Sequence, residues 1–372
     1  MLHDPYRALY LHIPFCASRC AYCDFATRAV ERDSPEISAY VEDMFMQIRR
    51  AGKEGELASI ETVYLGGGTP THTGTKHLSQ ILYTLGLTMH LTDEVECTVE
   101  ANPESLDERL VRDLWALGAN RLSIGVQSFD DGLLSVLGRA HTADGARRAV
   151  EAALSRFENV SVDVMCGLPG QSLEQFEATL REAVSLGVAH VSVYPLTVED
   201  HTLFANMVAS GAMSEPDDDV EADMMRLASE VLGSSGFARY EVANYARPGF
   251  ESRHNTAYWS GLPYLGIGTS AATMTQNSER RMRVQDGRVT DDLDARQMAA
   301  EDLMLAMRMT RGVDSALLGR AERLLPNARA TLDGLVARGF ARYEAASGTY
   351  APTELGWLCG NELYGALYEL AP

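Results

Sequence analysis

Short strand-like segments alternate with helix-like segments along the N-terminal part of this chain. The six strand-like segments are residues 9–13, 62–65, 95–100, 121–127, 160–165 and 190–196. Between them apolar residues recur every three or four positions, as at Leu78, Ile81, Leu82 and Leu85, which is typical of helices with one buried face. Strands separated by helices predict βαβ units and a parallel sheet. The pattern therefore predicts an α/β fold, a partial (β/α)6 barrel of the TIM type, with a doubly wound open sheet as the alternative.

The predicted strands end in loops of unusual composition. The first ends near three cysteines, the second at residues 66–70 (Gly-Gly-Gly-Thr-Pro), and the third at residues 100–103 (Glu-Ala-Asn-Pro). Ligands bind at the carboxyl ends of the strands in barrels and in open α/β sheets, so we expect one large site there. The third and fourth strands also alternate apolar with polar residues, whereas a parallel strand packed on both faces is apolar throughout. This alternation predicts a polar lumen that holds a polar ligand.

The sequence pattern changes after about residue 290. A Met-rich helix is predicted over residues 298–311, and further helical segments lead to a short hairpin near residues 340–343 and 350–352. Helices followed by a hairpin and a closing helix resemble a winged-helix module. We therefore predict two domains: a barrel domain over residues 1–275 and a helical, winged-helix-like domain over residues 290–372.

The charge and the termini restrict the function classes. The net charge of −20 argues against binding nucleic acid through its phosphates, because that requires a basic face. No stretch reaches the roughly 18–20 apolar residues that span a bilayer, and the N-terminus lacks the basic and apolar regions of a signal peptide. We therefore expect a cytoplasmic protein whose thiols stay reduced.

Three of the cysteines, Cys16, Cys20 and Cys23, lie within eight residues of one another. Reduced thiolates bind zinc or iron–sulfur clusters. Zinc would need a fourth ligand, for which His12 is the nearest candidate. A [4Fe–4S] cluster held by three thiolates keeps one iron free to bind the amine and carboxylate of a small molecule. The other cysteines are predicted to be buried packing residues; they are Cys97, Cys166 and Cys359.

The CxxxCxxC spacing, with Tyr22 before its third cysteine, resembles that of the radical S-adenosylmethionine (SAM) superfamily. Residues 10–16, 100–103, 124–128, 138–142 and 163–170 further resemble the HemN/HemW branch of that superfamily, so the resemblance covers nearly the whole chain. It implies a [4Fe–4S] cluster on the three clustered cysteines and a bound SAM. By matching motif positions, it implies SAM contacts at Tyr10, Tyr22, Gly67, Gly68, Thr69, Glu100, Gln127, Arg139 and Asp163.

The branch contains oxygen-independent coproporphyrinogen dehydrogenases and haem chaperones, and three features resemble the chaperones. Phe25 stands where the dehydrogenases have a fourth cysteine, only fifteen residues precede Cys16, and residues 254–259 match the HNxxYW motif. The resemblance implies a haem chaperone that delivers haem to acceptor proteins, respiratory ones included, with His254 as a haem ligand. A radical SAM enzyme acting on a porphyrin or porphyrinogen is the alternative. Relatives usually have a histidine in the segment matching residues 266–273, which is absent here and leaves haem ligation open.

Overall fold

The computed structural model describes residues 3–89, 92 and 94–372. The strands are β1 (Ala8–Ile13), β2 (Phe15–Cys16), β3 (Arg28–Ala29), β4 (Thr62–Gly67), β5 (Glu96–Ala101), β6 (Arg121–Gln127), β7 (Asn159–Cys166), β8 (His190–Pro195), β9 (Ala238–Arg239), β10 (Asn244–Ala246), β11 (Tyr264–Ile267), β12 (Ala272–Gln276), β13 (Arg280–Gln285), β14 (Arg288–Asp294), β15 (Ala341–Glu344) and β16 (Thr349–Pro352). The α-helices are α1 (Pro35–Lys53), α2 (Gly74–Met89), α3 (Glu108–Ala116), α4 (Asp131–Val136), α5 (Ala143–Leu154), α6 (Leu173–Leu186), α7 (Leu203–Ala209), α8 (Asp218–Ser234), α9 (Arg253–Trp259), α10 (Ala295–Ala306), α11 (Ser315–Glu322), α12 (Ala328–Ala337), α13 (Glu354–Leu358) and α14 (Gly360–Tyr368).

A 12-stranded sheet forms the body of the molecule, in the order β14-β13-β12-β11-β1-β4-β5-β6-β7-β8-β10-β9. The six predicted strands are β1, β4, β5, β6, β7 and β8, and each pairs in parallel with the next. They lie side by side in chain order, whereas a doubly wound sheet reverses its order at a switch point. The prediction of a partial (β/α)6 barrel is therefore confirmed over the open-sheet alternative.

Helix α6 shows how the sequence sets the outer layer of the barrel. It begins at a capping box, in which the Ser172 hydroxyl accepts a hydrogen bond from the Gln175 backbone N–H and the Gln175 side-chain oxygen accepts one from the Ser172 backbone N–H. It ends at Gly187, whose φ of 87° is the left-handed conformation that glycine adopts without strain. Phe176 and Leu180 are fully buried on its inner face, in the same hydrophobic cluster as the strands. The remaining βα units pack on the sheet in the same way.

Two segments beyond the six units were not predicted. Strand β11 pairs in parallel with β1, and β12, β13 and β14 continue the sheet as an antiparallel meander over residues 272–294. Helix α9 lies at the amino ends of the barrel strands, because Glu96, the first residue of β5, accepts hydrogen bonds from the backbone N–H groups of Arg253 and His254 at 2.9 Å each. We call α9 together with Thr62 and Glu96, the first residues of β4 and β5, the floor of the barrel.

The C-terminal segment has a hydrophobic cluster of its own, which includes Leu303, Leu332 and Leu363. Strands β15 and β16 form the predicted hairpin, between α12 and α13. Strand β14 runs directly into α10 at Asp294, and the division into domains over residues 1–275 and 290–372 stays a prediction. Among the described residues, no helix has the length and apolar character that crossing a membrane requires.

Candidate functional site

The three clustered cysteines line one small cavity at the carboxyl ends of the strands. Cys16 ends β2, which pairs with β3 and so brackets the loop that carries Cys20 and Cys23. All three are free thiols, and they line a cavity of about 130 Å³. Burial raises the pKa of Cys16 and of Cys23, and neighbouring thiols raise both further. Thiolates so placed need a compensating positive charge, which a bound metal cluster supplies.

Protein donors already point at two of these sulfur atoms. The Thr69 hydroxyl donates to Cys16 Sγ at 3.5 Å, and Arg139 Nη1 donates to Cys20 Sγ at 3.5 Å. Hydrogen bonds to the sulfurs are among the means by which proteins tune iron–sulfur clusters. The donor set therefore fits a [4Fe–4S] cluster.

The zinc alternative fits the same residues poorly. Both ring nitrogens of His12 are occupied: Nδ1 lies 3.1 Å from Tyr10 Oη and Nε2 lies 3.0 Å from the Ala26 carbonyl oxygen. No three His, Cys, Asp or Glu side chains in the described ranges converge closely enough to hold a single ion. The thiolates of a cubane cluster bind three separate irons, so they need not converge on one point.

The glycine run after β4 is required by the packing of the chain itself. A Cβ at Gly68 would lie 2.8 Å from the Phe15 carbonyl oxygen, and a Cβ at Gly66 would lie 2.9 Å from Glu100 Oε2. Gly67 has a φ of 110°, which side chains rarely adopt. With no side chains, these residues bring the backbone of β4 against β2 and leave Gly67 and Gly68 exposed to the cavity.

Two partly buried carboxylates line the cavity next to the glycines. Glu100 accepts from Tyr64 Oη at 2.7 Å and from the Gly67 N–H at 3.1 Å, and burial raises its pKa to about 7. Asp163 accepts from the Ser123 hydroxyl at 3.2 Å, and burial raises its pKa. A cationic ligand would favour the ionised form of both groups. The pair therefore suits a ligand that carries positive charge and hydroxyl groups.

Arg139 and Gln127 complete the wall of the cavity. Arg139 Nη2 donates to Asn102 Oδ1 at 2.6 Å and to the Gly125 carbonyl at 2.7 Å, while its Nε has no partner among the described residues. An arginine held in this way can still receive a carboxylate. Gln127 lies at a bulge between β6 and β7 with a φ of 63°, a conformation that costs free energy in a residue other than glycine.

The structure brings most of the predicted site residues together. Besides the cysteines, the cavity is lined by Tyr22, Gly67, Gly68, Thr69, Glu100, Gln127, Arg139 and Asp163. Tyr10 is the exception: it lies in β1 with its hydroxyl against His12 and does not line this cavity. Sequence reasoning missed Asn102, whose amide also donates to Thr69 Oγ1 at 2.8 Å. Its position in the Glu-Ala-Asn-Pro segment (residues 100–103), at the end of a predicted strand, could have identified it as a site residue.

A second cavity continues from the first into the barrel. It has a volume of about 420 Å³ and shares Tyr22, Glu100 and Asp163, among others, with the cysteine cavity. We call this second cavity the lumen. Arg121, Ser123 and Ser192 line it, in agreement with the polar face predicted from strand alternation.

His254 lies in the floor of the barrel. Its Nδ1 is 2.8 Å from Thr62 Oγ1, its Nε2 is 3.1 Å from Tyr258 Oη, and its ring stacks on Tyr64 at 4.9 Å. The side chain is 1% exposed, and burial lowers its pKa to about 3. A haem iron would have to displace one of these partners. The structure therefore places His254 in the floor, outside the residues that line the two cavities, and its role as a haem ligand stays a prediction.

Comparison with known proteins extends these observations. The sequence profile of the Radical SAM superfamily matches residues 10–183. The Heme chaperone HemW of Bacillus subtilis (strain 168) is 32% identical over 97% of this chain and 98% of its own length. The Heme chaperone HemW of Escherichia coli (strain K12) is 35% identical over 73% of this chain and 71% of its own length. Among solved structures, coproporphyrinogen III oxidase (HemN) from Escherichia coli has a TM-score of 0.80 at 19% identity, and the match covers 98% of this chain and 90% of HemN.

Proposed function

Because this chain belongs to the HemW family of radical SAM proteins, we propose that it is a haem chaperone, which binds haem and delivers it to acceptor proteins. The observation that carries the proposal is the match to the Bacillus subtilis chaperone over 98% of that protein's length. The matched range includes both the cysteine cavity and the C-terminal segment, so the whole architecture is shared.

We propose that Cys16, Cys20 and Cys23 hold the [4Fe–4S] cluster of this radical SAM fold. Such a cluster supplies an open iron site for SAM and an electron to cleave it. The chain's own residues position SAM: the backbone of Gly67 and Gly68 approaches it closely, Arg139 pairs with its carboxylate, and the carboxylates face its cationic and hydroxyl groups. The carboxylates are Glu100 and Asp163, and the remaining proposed contacts are Tyr22, Thr69 and Gln127.

A haem titration tests the chaperone proposal. Protein reconstituted without oxygen is titrated with haem, and binding is followed through the Soret absorption of the porphyrin. We expect saturable binding, followed by transfer of haem to an apo-haem protein added in excess. Protein in which the cluster has been removed serves as the control for haem bound adventitiously to iron or sulfide. A wild-type protein that shows no saturable binding would rule the proposal out.

A second candidate is a radical SAM enzyme that acts on a porphyrinogen. It is favoured by the direct opening of the cysteine cavity into the lumen, which would place a substrate beside SAM. Phe25, 71% exposed, lies at this opening, where the fourth cysteine of the dehydrogenases would stand. Anaerobic incubation with SAM, a reductant and coproporphyrinogen III distinguishes the candidates. Vinyl-bearing product would establish the enzyme, and unchanged coproporphyrinogen is expected for a chaperone.

We further propose that the protein acts in the cytoplasm and that its partners are haem-accepting proteins, respiratory ones included. All six cysteines are free thiols, which agrees with a reducing compartment. The net charge of −20 disfavours nucleic acid as a partner. Cell fractionation with detection of the tagged protein checks the compartment, and affinity capture in haem-replete cells checks the partners.

A further inference from the structure

Arg121 is a buried cation that the protein itself does not pair. It begins β6 and is 2% exposed, which places it among the largest fully buried side chains. Its Nε has no hydrogen-bond partner, and its guanidinium forms no hydrogen bond or salt bridge with any residue in the described part of the chain. A buried charge without a partner costs several kcal/mol, so its persistence calls for a ligand.

The carboxyl groups that sense the charge of Arg121 do not contact its guanidinium directly, because each accepts hydrogen bonds from other residues. The nearest carboxyl groups are Glu100 and Asp163, which accept from Tyr64 and from Ser123 respectively. Burial raises the pKa of both groups, although the charge of Arg121 acts against that rise, and neither carboxyl forms an ion pair or a hydrogen bond with the guanidinium in the described part of the chain. The other titratable groups whose charge Arg121 senses are two histidines of lowered pKa, His190 and His254, and the phenols of Tyr64 and Tyr240. None of these is an anion near neutral pH.

Arg281 shows what a paired arginine looks like in this fold. It is also 2% exposed. Its guanidinium forms salt bridges with Glu301 and with Asp302, the latter at 2.8 Å, and its Nε donates to Gln276 at 2.9 Å. In the described part of the chain, all three guanidinium nitrogens of Arg281 donate hydrogen bonds. Arg121, which is equally buried, forms none with any described residue and lines the lumen.

The space beside Arg121 suits an organic ligand. The lumen of about 420 Å³ meets an outer cleft of about 920 Å³ at Tyr194, Pro195 and Asn255. Small-molecule sites are typically about 300–1,000 Å³. The outer cleft is lined by aromatic residues, including Tyr194, Tyr258 and Trp259, which give part of its wall an apolar surface.

We infer that Arg121 is the receptor for a carboxylate of a ligand bound in the lumen and, resting on the proposed function, that this carboxylate is a propionate of haem. A guanidinium presents a planar fork of N–H donors that matches a carboxylate in two parallel hydrogen bonds. The tetrapyrrole body would then extend towards the outer cleft. This assignment places haem next to the SAM cavity, because Glu100 and Asp163 line both cavities.

Other arginines are less suited to this role. Arg280 forms a salt bridge with Asp292, and Arg283 forms salt bridges with Asp291 and with Glu301. Arg239 lines the outer cleft, where it stacks over Trp357 at 3.9 Å and donates to backbone carbonyls. It is therefore a matched control: an arginine near the ligand path but outside the lumen.

Two ligands and three variants test the inference. The anaerobically reconstituted protein is titrated with haem and with haem dimethyl ester, which lacks free carboxylates. For the wild type we expect haem to bind about 10- to 100-fold more tightly than the ester, the range for a buried charge-assisted pair. The variant Arg121→Gln should bind haem with that much lower affinity while its affinity for the ester stays unchanged. Arg121→Lys should retain part of the preference, and Arg239→Gln all of it.

The outcomes separate this inference from the proposed function. A wild type that binds neither ligand overturns both. A wild type that binds haem and ester equally, or an Arg121→Gln variant that keeps the full preference, overturns the inference alone. Loss of the preference in Arg239→Gln but not in Arg121→Gln places the carboxylate in the outer cleft and also overturns it. If neither Arg121 variant folds, judged by cluster content and thermal unfolding, then Arg121 belongs to the fold and the inference fails.

Discussion

The lumen and the floor of the barrel are built from the same types of polar residue but differ in how far these residues are paired. In the floor, both ring nitrogens of His254 have partners, and both carboxylate oxygens of Glu96 accept backbone hydrogen bonds. In the lumen and the adjoining cysteine cavity, Arg121 is unpaired, the thiols are free, and Nε of Arg139 has no partner within the described residues. Residue type alone therefore does not mark a site. What distinguishes the candidate site is that several polar groups with unused hydrogen-bonding capacity lie together around one cavity.

The largest effect should follow from removing a thiol. In Cys16→Ala we expect nearly complete loss of iron and sulfide after anaerobic reconstitution, because two thiolates cannot retain the cluster. The fold should persist, since the side chain is only half-buried and lies at the end of the two-residue strand β2. Cys97→Ala is the control, because Cys97 is fully buried in the hydrophobic core away from the cavity. Full iron content in Cys16→Ala would contradict the assignment.

The second largest effect should follow from substituting Glu100, which lines the cysteine cavity and the lumen, and Glu96 in the floor is its control. Glu100→Gln should weaken SAM binding about 10- to 100-fold, the worth of a hydrogen bond to a charged group. The pKa of Glu100 is about 7 before SAM binds, so wild-type affinity for the SAM cation should rise as the pH rises through 7, and the variant should lose this dependence. Equilibrium dialysis from pH 6 to 8 measures both. Glu96→Gln in the floor should change the affinity for SAM less than threefold. If Glu96→Gln weakened SAM binding as much as Glu100→Gln does, the proposed difference between the floor and the cysteine cavity would be wrong.

Periodicity predicted the barrel because each strand and helix buries a whole face, so that the pattern repeats over many residues. The meander β12 to β14 escaped this reasoning, since segments such as Arg280–Gln285 are polar and only partly buried. Cysteine spacing and glycines identified the cavity, because both restrict chemistry or backbone geometry locally. The sequence did not predict that Arg121 lacks an ion-pair partner among the described residues, because this depends on where residues from several strands lie around it. For His254 the motif was visible in the sequence, but its burial in the floor was not.

The burial of His254 in the floor can be tested through the pH dependence of the free energy of unfolding. Its pKa is lowered from 6.5 to about 3, so below pH 6.5 the unfolded chain binds a proton that the folded chain does not. The contribution of neutral His254 to the free energy of unfolding is therefore complete above pH 6.5 and is lost as the pH falls towards 3. At 1.36 kcal/mol per pH unit, about 2 kcal/mol should be lost between pH 6.5 and 5. His254→Gln, measured by urea unfolding, should show a slope smaller by about one proton.

The same variant distinguishes packing from haem ligation. Because the ring lies in the floor with both nitrogens engaged, His254→Gln should bind haem at pH 7.5 with an affinity within about threefold of the wild type, provided that it is folded. Tyr258→Phe, which removes only the partner of Nε2, is the matched control for a lost floor hydrogen bond. Abolished haem binding in folded His254→Gln alone would return the histidine to the role of a ligand.

The smallest effect concerns Glu221, a partly buried residue of the outer cleft that lies outside both regions. Its Oε1 has no hydrogen-bond partner among the residues described, and burial, followed by the charge of Asp218, raises its pKa from 4.5 to about 7. The folded chain therefore holds a proton that the unfolded chain releases, and stability is lost as the pH rises from 4.5 to about 7. Because Glu221 is only partly buried, we expect Glu221→Gln to gain about 1 kcal/mol at pH 8 and nothing at pH 4.5. Asp219→Asn, exposed in the same helical turn, should gain nothing at either pH. Glu221→Gln could instead leave stability unchanged and alter the affinity for haem. That result would indicate that Glu221 contacts the ligand and that the outer cleft, like the lumen, is part of the haem site.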